Sequence, residues 1–360
     1  MEKSSNNLKV AIIGPYPPPY GGISTYVQRM HYCLRKRNIE HIIYTNIDDV
    51  KANLVNIVKT KKWFLKYLCT AKEDVLHFHN IDWRERVLMS LMRFRGKKVI
   101  LTIHGKSLED QIRQNGWLKR RILIYSLKNI SNIVVVNPKI KSLLISHGIK
   151  PDNVECITPF VPPTIINEDI AQIPQKIWGF IDTHKPIVSA NASKIVFYDN
   201  YDLYGIDMCI DLCGYLKKDY PQIGFIFFLP DIGDYEYFNK MKEKINEKRL
   251  DDNFLFQTKP CQMYPVIMKS DIFVRPTNTD GYGISVAEAI YFKVPSVASN
   301  VCQRPEGTIL FKNRDISDFT AKVNDVLSNY EFHKNRIEDI ELGNYVEELL
   351  EMYNKLAEKK

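Results

Sequence analysis

The chain has 360 residues, 45% of them hydrophobic and 26% charged, with 16 Gly and 18 Pro. This ordinary globular composition excludes a disordered, collagen-like or coiled-coil chain, and the length predicts two domains with a core each. The net charge of +8 is uneven, with 27 Lys+Arg against 12 Asp+Glu in residues 1–165 and 23 against 30 in residues 166–360. The first half therefore suits an anionic partner such as a membrane surface, a nucleic acid or a phosphorylated substrate.

No apolar run reaches the ~18 residues of a membrane span, and the N-terminus enters the short stretch Val10–Ile13 without a signal-peptide core, so a cytoplasmic protein is expected. Cys33, Cys69, Cys156, Cys209, Cys213, Cys261 and Cys302 are odd in number and form no C-x-x-C pair, against a disulfide framework or zinc site. Cys209 and Cys213 share one predicted helix and read as buried packing.

Apolar runs at 8–13, 41–45, 74–79, 98–103 and 133–136 alternate with helix-length stretches, which predicts a parallel α/β sheet with helices on both faces. The first strand leads into Gly14-Pro15-Tyr16-Pro17-Pro18-Pro19-Tyr20-Gly21-Gly22 and a helix from about Ile23. Gly21 and Gly22 let the backbone approach a ligand, and a helix start favours an anion, so a phosphate or a group of sugar hydroxyls fits there. The spacing is not that of a dinucleotide fingerprint. His77 and His79 share one face of their strand, with Phe78 on the other, and each alone reads as structural. His104 ends the next strand, where open α/β sheets bind ligands, and could donate to a sugar hydroxyl or move a proton.

Pro159 to Pro163 and the polar stretch to about Lys185 are expected to form a linker, 159–185, without regular helix. A second series of strands at 186–190, 223–229, 253–257, 271–275, 296–298 and 308–311 predicts a second doubly wound domain over 185–336. Its densest motif is Arg275-Pro276-Thr277-Asn278-Thr279-Asp280-Gly281-Tyr282-Gly283-Ile284-Ser285-Val286-Ala287-Glu288. A strand there ends in a glycine-bearing loop that opens a helix near Ser285, a place for a phosphorylated ligand. Asp280 and Glu288 can face one cleft. Ser285-x-x-Glu288 also reads as a capping box, which leaves Asp280, Gly281 and Gly283 unexplained. The tail 337–360 has helical spacing at Leu342, Tyr345, Leu349, Met352 and Leu356 and is expected to return to the first domain, 1–165.

On the glycine loop, the strand-ending His104, the acid-x7-Glu motif and the following Pro295-Ser296-Val297-Ala298-Ser299, nearly the whole chain resembles the family-4 (group 1) retaining glycosyltransferases of the GT-B fold. The resemblance implies two Rossmann-like parallel-sheet domains facing across a nucleotide-sugar cleft. It assigns Gly21 and Gly22 to the donor diphosphate and the acceptor side, His104 to the donor sugar, Asp280 to sugar hydroxyls and Glu288 to the ribose. Gly281, Tyr282, Gly283, Ile284 and Ser285 fall within the donor-binding motif. Two departures stand out. The first acid is Asp280 where the family usually has Glu, and the family's Arg and Lys after the first strand of the second domain are missing, with Tyr204 at the Lys position. Those cations neutralise the leaving diphosphate, so Lys194, Arg275, Lys259 or Arg304 must replace them, Lys194 and Arg275 being favoured.

The implied reaction moves a hexosyl or N-acetylhexosaminyl group from a nucleoside-diphosphate sugar to a hydroxyl with retention. The departing phosphate takes the acceptor proton, with no enzyme nucleophile, no cofactor and no metal. The basic, aromatic segments 59–68 and 117–125 resemble interfacial helices, which suggests peripheral attachment to the inner leaflet and a polyprenyl-diphosphate-linked glycan as acceptor in surface polysaccharide (O-antigen or capsule) assembly; the alternative is two solvated basic helices with buried aromatics. Competing readings are a nucleotide-sugar epimerase and an impaired GT-B docking protein. No nucleic-acid reader motif is present.

Overall fold

A computed structural model describes residues 8–17, 21–45, 57–59, 71–79, 82–105, 107–158, 160–342 and 345–358. Two compact units emerge, Met1–Thr164 together with Gly343–Lys360, and Ile165–Leu342.

In chain order the first unit holds β1 (Val10–Ile13), α1 (Gly22–Lys36), β2 (His41–Thr45), β3 (Ile57–Lys59), β4 (Val75–Phe78), α2 (Trp83–Met89), a 3-10 turn (Ser90–Arg95), β5 (Lys98–Ile103), α3 (Ser107–Gln114), α4 (Trp117–Leu127), β6 (Asn132–Val135), α5 (Pro138–Ser146) and β7 (Val154–Cys156). The second holds α6 (Asn167–Gln172), α7 (Gln175–Thr183), β8 (Ile187–Asn191), the hairpin β9 (Phe197–Tyr198) and β10 (Tyr201–Asp202), α8 (Ile206–Leu216), β11 (Gly224–Phe228), α9 (Tyr235–Glu247), β12 (Phe254–Gln257), α10 (Tyr264–Ile267), β13 (Ile272–Arg275), α11 (Ile284–Tyr291), β14 (Ser296–Ser299), β15 (Ile309–Phe311), α12 (Ile316–Ser328) and α13 (Tyr330–Glu338). The last helix, α14 (Tyr345–Glu358), belongs to the first unit.

Both main sheets are parallel, ordered β3-β2-β1-β4-β5-β6-β7 and β12-β11-β8-β13-β14-β15. Each order reverses once, between β1 and β4 and between β8 and β13. Such a reversal splays the crossover connections apart and leaves a crevice at the carboxyl ends of the two strands. The continuous apolar runs of the strands follow from burial on both faces. Val10 and Ile12 point to one core with α1 and α14, and Ala11 and Ile13 point to the other. Tyr345, Val346, Leu349, Met352 and Tyr353 make the buried stripe of α14, and at about 1.5–3 kcal/mol per large apolar side chain that stripe suffices to hold the chain end on the sheet. Cys209 and Cys213 are fully buried in the second unit's core.

Two expectations are corrected. The stretch expected as a linker without helix contains α6 and α7, because Ile173 and Ile177 reach the second unit's core; Pro174 sits at an N-cap, where a missing N–H costs nothing. The tail breaks: α13 carries the chain to Glu338 within the second unit and only α14 returns. The short strands β3 and β7 and the hairpin β9–β10 were not signalled by runs long enough to read. Segment 59–68 lies outside the described residues apart from Lys59.

Candidate active site

In the second unit the site is built on the crevice between β8 and β13. Arg275 is the last residue of β13, and its guanidinium donates to Asn191 at the end of β8, to the backbone oxygen at 3.2 Å and Oδ1 at 3.0 Å. Its Nε donates to Asp280 Oδ2 at 2.9 Å. Arg304 reaches the same oxygen through Nη1 at 2.8 Å, while its Nη2 donates to Thr277 Oγ1 at 2.9 Å and to Ser299 Oγ at 3.1 Å. Asp280 Oδ1 accepts the Gly281 N–H at 2.9 Å. Burial by itself would raise the Asp280 pKa, but the two guanidiniums outweigh it and hold the carboxyl far below the usual range. Burial likewise opposes the Arg275 cation, and Asp280 and then Tyr204 more than restore it.

Tyr204, at the position where the family's Lys was expected, lies beneath this cation: the Arg275 guanidinium stands 5.2 Å from the ring centroid, and the Tyr204 hydroxyl bonds Ser193 Oγ at 2.8 Å. A cation supplied by β13 thus sits over the Tyr204 ring. Lys194 is exposed on a segment bridged to Asp231, outside the bonds that join Arg275, Asp280 and Arg304.

The motif's loop turns into α11 through Gly283, whose φ of 92° favours glycine, and a Cβ there would stand 2.7 Å from Arg304 Nη1. The N-cap is Gly283 with no side-chain cap bond, so the Ser285–Glu288 capping box does not form. Ile284 is the first helical residue, Ser285 and Glu288 are buried within the helix, and Tyr282 is half-buried, its pKa pushed up to about 12 by burial.

In the first unit the crevice lies between β1 and β4. Ser24 Oγ accepts the Gly21 N–H at 2.9 Å and fixes the turn into α1. A Cβ on Gly22 would meet nothing within 4 Å and one on Gly21 only Ser24 Oγ at 3.8 Å, and neither has a positive φ. Packing among the described residues therefore does not demand either glycine. His77 and His79 do share a face. His77 Nδ1 bonds the Tyr353 hydroxyl at 2.6 Å and Nε2 bonds Thr102 Oγ1 at 2.7 Å; His79 Nδ1 and His104 Nε2 are 2.9 Å apart. Tyr26 stacks edge-on to His104 and bonds the Tyr345 hydroxyl. Burial, followed by the neighbouring His104, lowers the His77 pKa to about 3; burial, followed by Arg86, lowers that of His104 to about 3; and burial with both other histidines lowers that of His79.

The sequence reading gave no role to Asn191, nor to Thr277, Ser299 and Tyr345, which it named only as parts of their segments, nor to Tyr353, since nothing local distinguishes them. It did not favour Arg304, although Arg304-Pro305-Glu306-Gly307 was a visible signal. On α4, Trp117 and Tyr125 are exposed (65% and 70%), as is Phe94 (81%) on the adjoining 3-10 turn, beside Lys119, Arg120 and Arg121; the reading in which these aromatics are buried does not hold for Trp117 and Tyr125. Among the described residues no group of His, Cys, Asp and Glu is placed to hold a metal ion, and no helix is long and apolar enough to cross a membrane.

Residues 184–342 match the family of glycosyl transferases group 1, and residues 50–164 match glycosyltransferase family 4. No curated protein matches the chain. Among solved structures it is similar to a glycosyltransferase from Rickettsia africae (13% identity, TM-score 0.71, 99% of this chain and 100% of that one). It is also similar to Anabaena HepE in complex with UDP-glucose (13%, 0.66, 98% and 99%) and to WaaG, a glycosyltransferase involved in lipopolysaccharide biosynthesis (14%, 0.63, 97% and 98%).

Proposed function

Because the chain is a group 1, family-4-like glycosyltransferase with the GT-B fold, we propose that it transfers a hexosyl or N-acetylhexosaminyl group, with retention, from a nucleoside-diphosphate sugar to a hydroxyl of a glycan. The observation that carries this reading is the Arg275 guanidinium held over Tyr204 at the β8–β13 crevice. It restores a cation where the family's Arg and Lys are absent, and it argues against an impaired docking protein. HepE in complex with UDP-glucose supports the donor class.

In this mechanism Arg275 stabilises the charge that develops on the leaving diphosphate, and Asp280 and Arg304 keep its head in place. A fixed donor aimed at developing charge typically contributes 10²–10³-fold. The uncapped start of α11, with Ile284 and Ser285, adds N–H groups and the positive end of the helix dipole for the same phosphates. Asp280 Oδ1 retains acceptor capacity for a sugar hydroxyl, Glu288 takes the ribose, and Gly21 and Gly22 leave room for a ligand. The leaving phosphate accepts the acceptor's proton. The reaction so described uses no cofactor and routes no step through a metal.

The acceptor proposed is a polyprenyl-diphosphate-linked glycan of surface polysaccharide assembly, met at the cytoplasmic face of the membrane. The exposed Trp117, Tyr125 and Phe94 beside Lys119, Arg120 and Arg121 support docking on an anionic leaflet, where each cation contributes about 1 kcal/mol. Flotation with anionic liposomes at low salt checks this; a protein left at the bottom of the gradient refutes it. The function itself is tested by calorimetry and nucleotide release with UDP-, GDP-, dTDP- and ADP-sugars on wild type and Glu288→Gln. Binding and release with one donor, both lost in the variant, is expected. A folded wild type that binds none of them overturns the reading.

A further inference from the structure

The histidine pair of the first unit holds a decision about one proton. His79 Nδ1 and His104 Nε2 lie 2.9 Å apart, so one nitrogen carries the hydrogen and the other accepts it. The remaining nitrogens have unlike surroundings. His79 Nε2 is buried and has no hydrogen-bond partner among the described residues. His104 Nδ1 has none among the described residues either, but it belongs to a half-buried side chain and is not among the buried unpartnered atoms.

Two arrangements are open. If His104 donated, His79 would carry its hydrogen on Nε2, a buried N–H with nothing among the described residues to receive it, which leaves the full desolvation penalty unpaid. If His79 donates, its Nε2 is a bare lone pair, and an unpaired buried acceptor is the more tolerable defect. We propose that His79 is a positioning residue that donates Nδ1–H to His104 Nε2 and thereby makes His104 present Nδ1–H, a donor, at its open edge. This deepens the transferase reading and rests on it for the ligand: the group met by His104 is an acceptor, a sugar hydroxyl oxygen or a phosphate oxygen, and His104 abstracts no proton.

The surroundings keep the pair neutral. His77 has both nitrogens occupied by Tyr353 and Thr102 and cannot exchange a proton with His79. From α1, Tyr26 meets His104 in a T-shaped ring contact, and its hydroxyl is taken by Tyr345. From α2, Arg86 is fully buried with Gln111 and Ser107 as partners, its Nε has none, and no carboxylate pairs with it among the described residues. With Asp82 as the carboxylate that favours its cation but none bonded to it, this guanidinium opposes a second positive charge on His104. Gly14 makes room for the arrangement, since a Cβ there would lie 3.0 Å from the Cβ of His79.

The test separates this from the transferase reading. In protein labelled with 15N-histidine, long-range proton–nitrogen correlations, assigned by loss of a signal in His104→Gln, are expected to show His104 with a protonated Nδ1 and a bare Nε2. The reverse pattern, or an imidazolium at neutral pH, overturns the proposal. This readout needs no substrate, so it stands even if no donor is turned over. With a donor in hand, His79→Leu removes the N–H and is expected to lower kcat about tenfold or more. His79→Asn, whose amide nitrogen falls at the place of Nδ1, restores most of it, and His79→Gln, with its amide at the place of Nε2, does not. Equal kcat in the Asn and Leu variants refutes the role. Where the Leu variant does not fold, the Asn–Gln contrast and the wild-type tautomer decide.

Discussion

Beside the sheet reversal of the first unit, the carboxyl ends of β4 and β5 carry groups that stay neutral: His77, His79 and His104, tied to Thr102, Tyr353 and one another. At the reversal of the second, between β8 and β13, the groups are charges: Arg275 and Arg304 on one oxygen of Asp280. The same architecture thus carries two solutions to burying polar groups. Imidazoles escape the cost of desolvation by giving up their proton, whereas the guanidiniums of Arg275 and Arg304 cannot and are held by a shared carboxylate. The first unit should therefore fail by protonation and the second by removal of a counter-charge.

The largest effect is expected from Asp280→Ala, which leaves two buried guanidiniums without their shared anion. A loss of about 3–5 kcal/mol in stability, read by thermal unfolding together with loss of donor binding, is the expected outcome. An unchanged unfolding temperature would mean that the two arginines do not depend on Asp280. A smaller, graded effect comes from pH. The folded pKa values of His77 and His104, about 3, lie below the ordinary value near 6.5, and that of His79 is lowered as well. The unfolded chain therefore binds more protons than the folded one beneath about pH 6.5, so stability is full above that value and falls as the pH drops toward about 3. Asp280 acts in the same direction only below about pH 4, where its unfolded counterpart protonates. His31, lowered to about 4, and His41, lowered by burial, add to the same slope, so unfolding temperatures falling steadily between about pH 7 and 5, and less steeply in His77→Gln, would bear out the neutral cluster; a flat curve over that range would count against it. Least in size, Tyr353→Phe removes the 2.6 Å bond to His77 Nδ1 and should cost about 1 kcal/mol with the sheet and α14 intact, as measured by denaturant unfolding. No change there would show that the His77 bond contributes nothing to holding α14 beside its apolar stripe and its bond from Tyr345 to Tyr26.

Much of this was legible beforehand. Periodicity alone located Val10–Ile13, Lys98–Ile103, Gly224–Phe228 and Ile272–Arg275 as strands buried on both faces, because burial on both faces needs an unbroken apolar run. The motif from Arg275 to Glu288 and the strand-ending His104 were visible because strand, glycine loop and helix follow one another directly in the chain. The helices α6 and α7 were not, since proline and polar residues dominate a stretch whose fate is decided by two isoleucines reaching the core.

What the sequence by itself determined is the pair of parallel α/β units and the chemistry available at their strand ends, for these depend on residues within one or two elements of each other. What only the tertiary structure decided is which groups meet. Arg304 joins Asp280 across 24 residues, Tyr353 meets His77 across 276, and Tyr204 supports a cation from another strand. Contacts at such separations follow from how the elements pack, and packing is set by the whole core, so no local pattern records them.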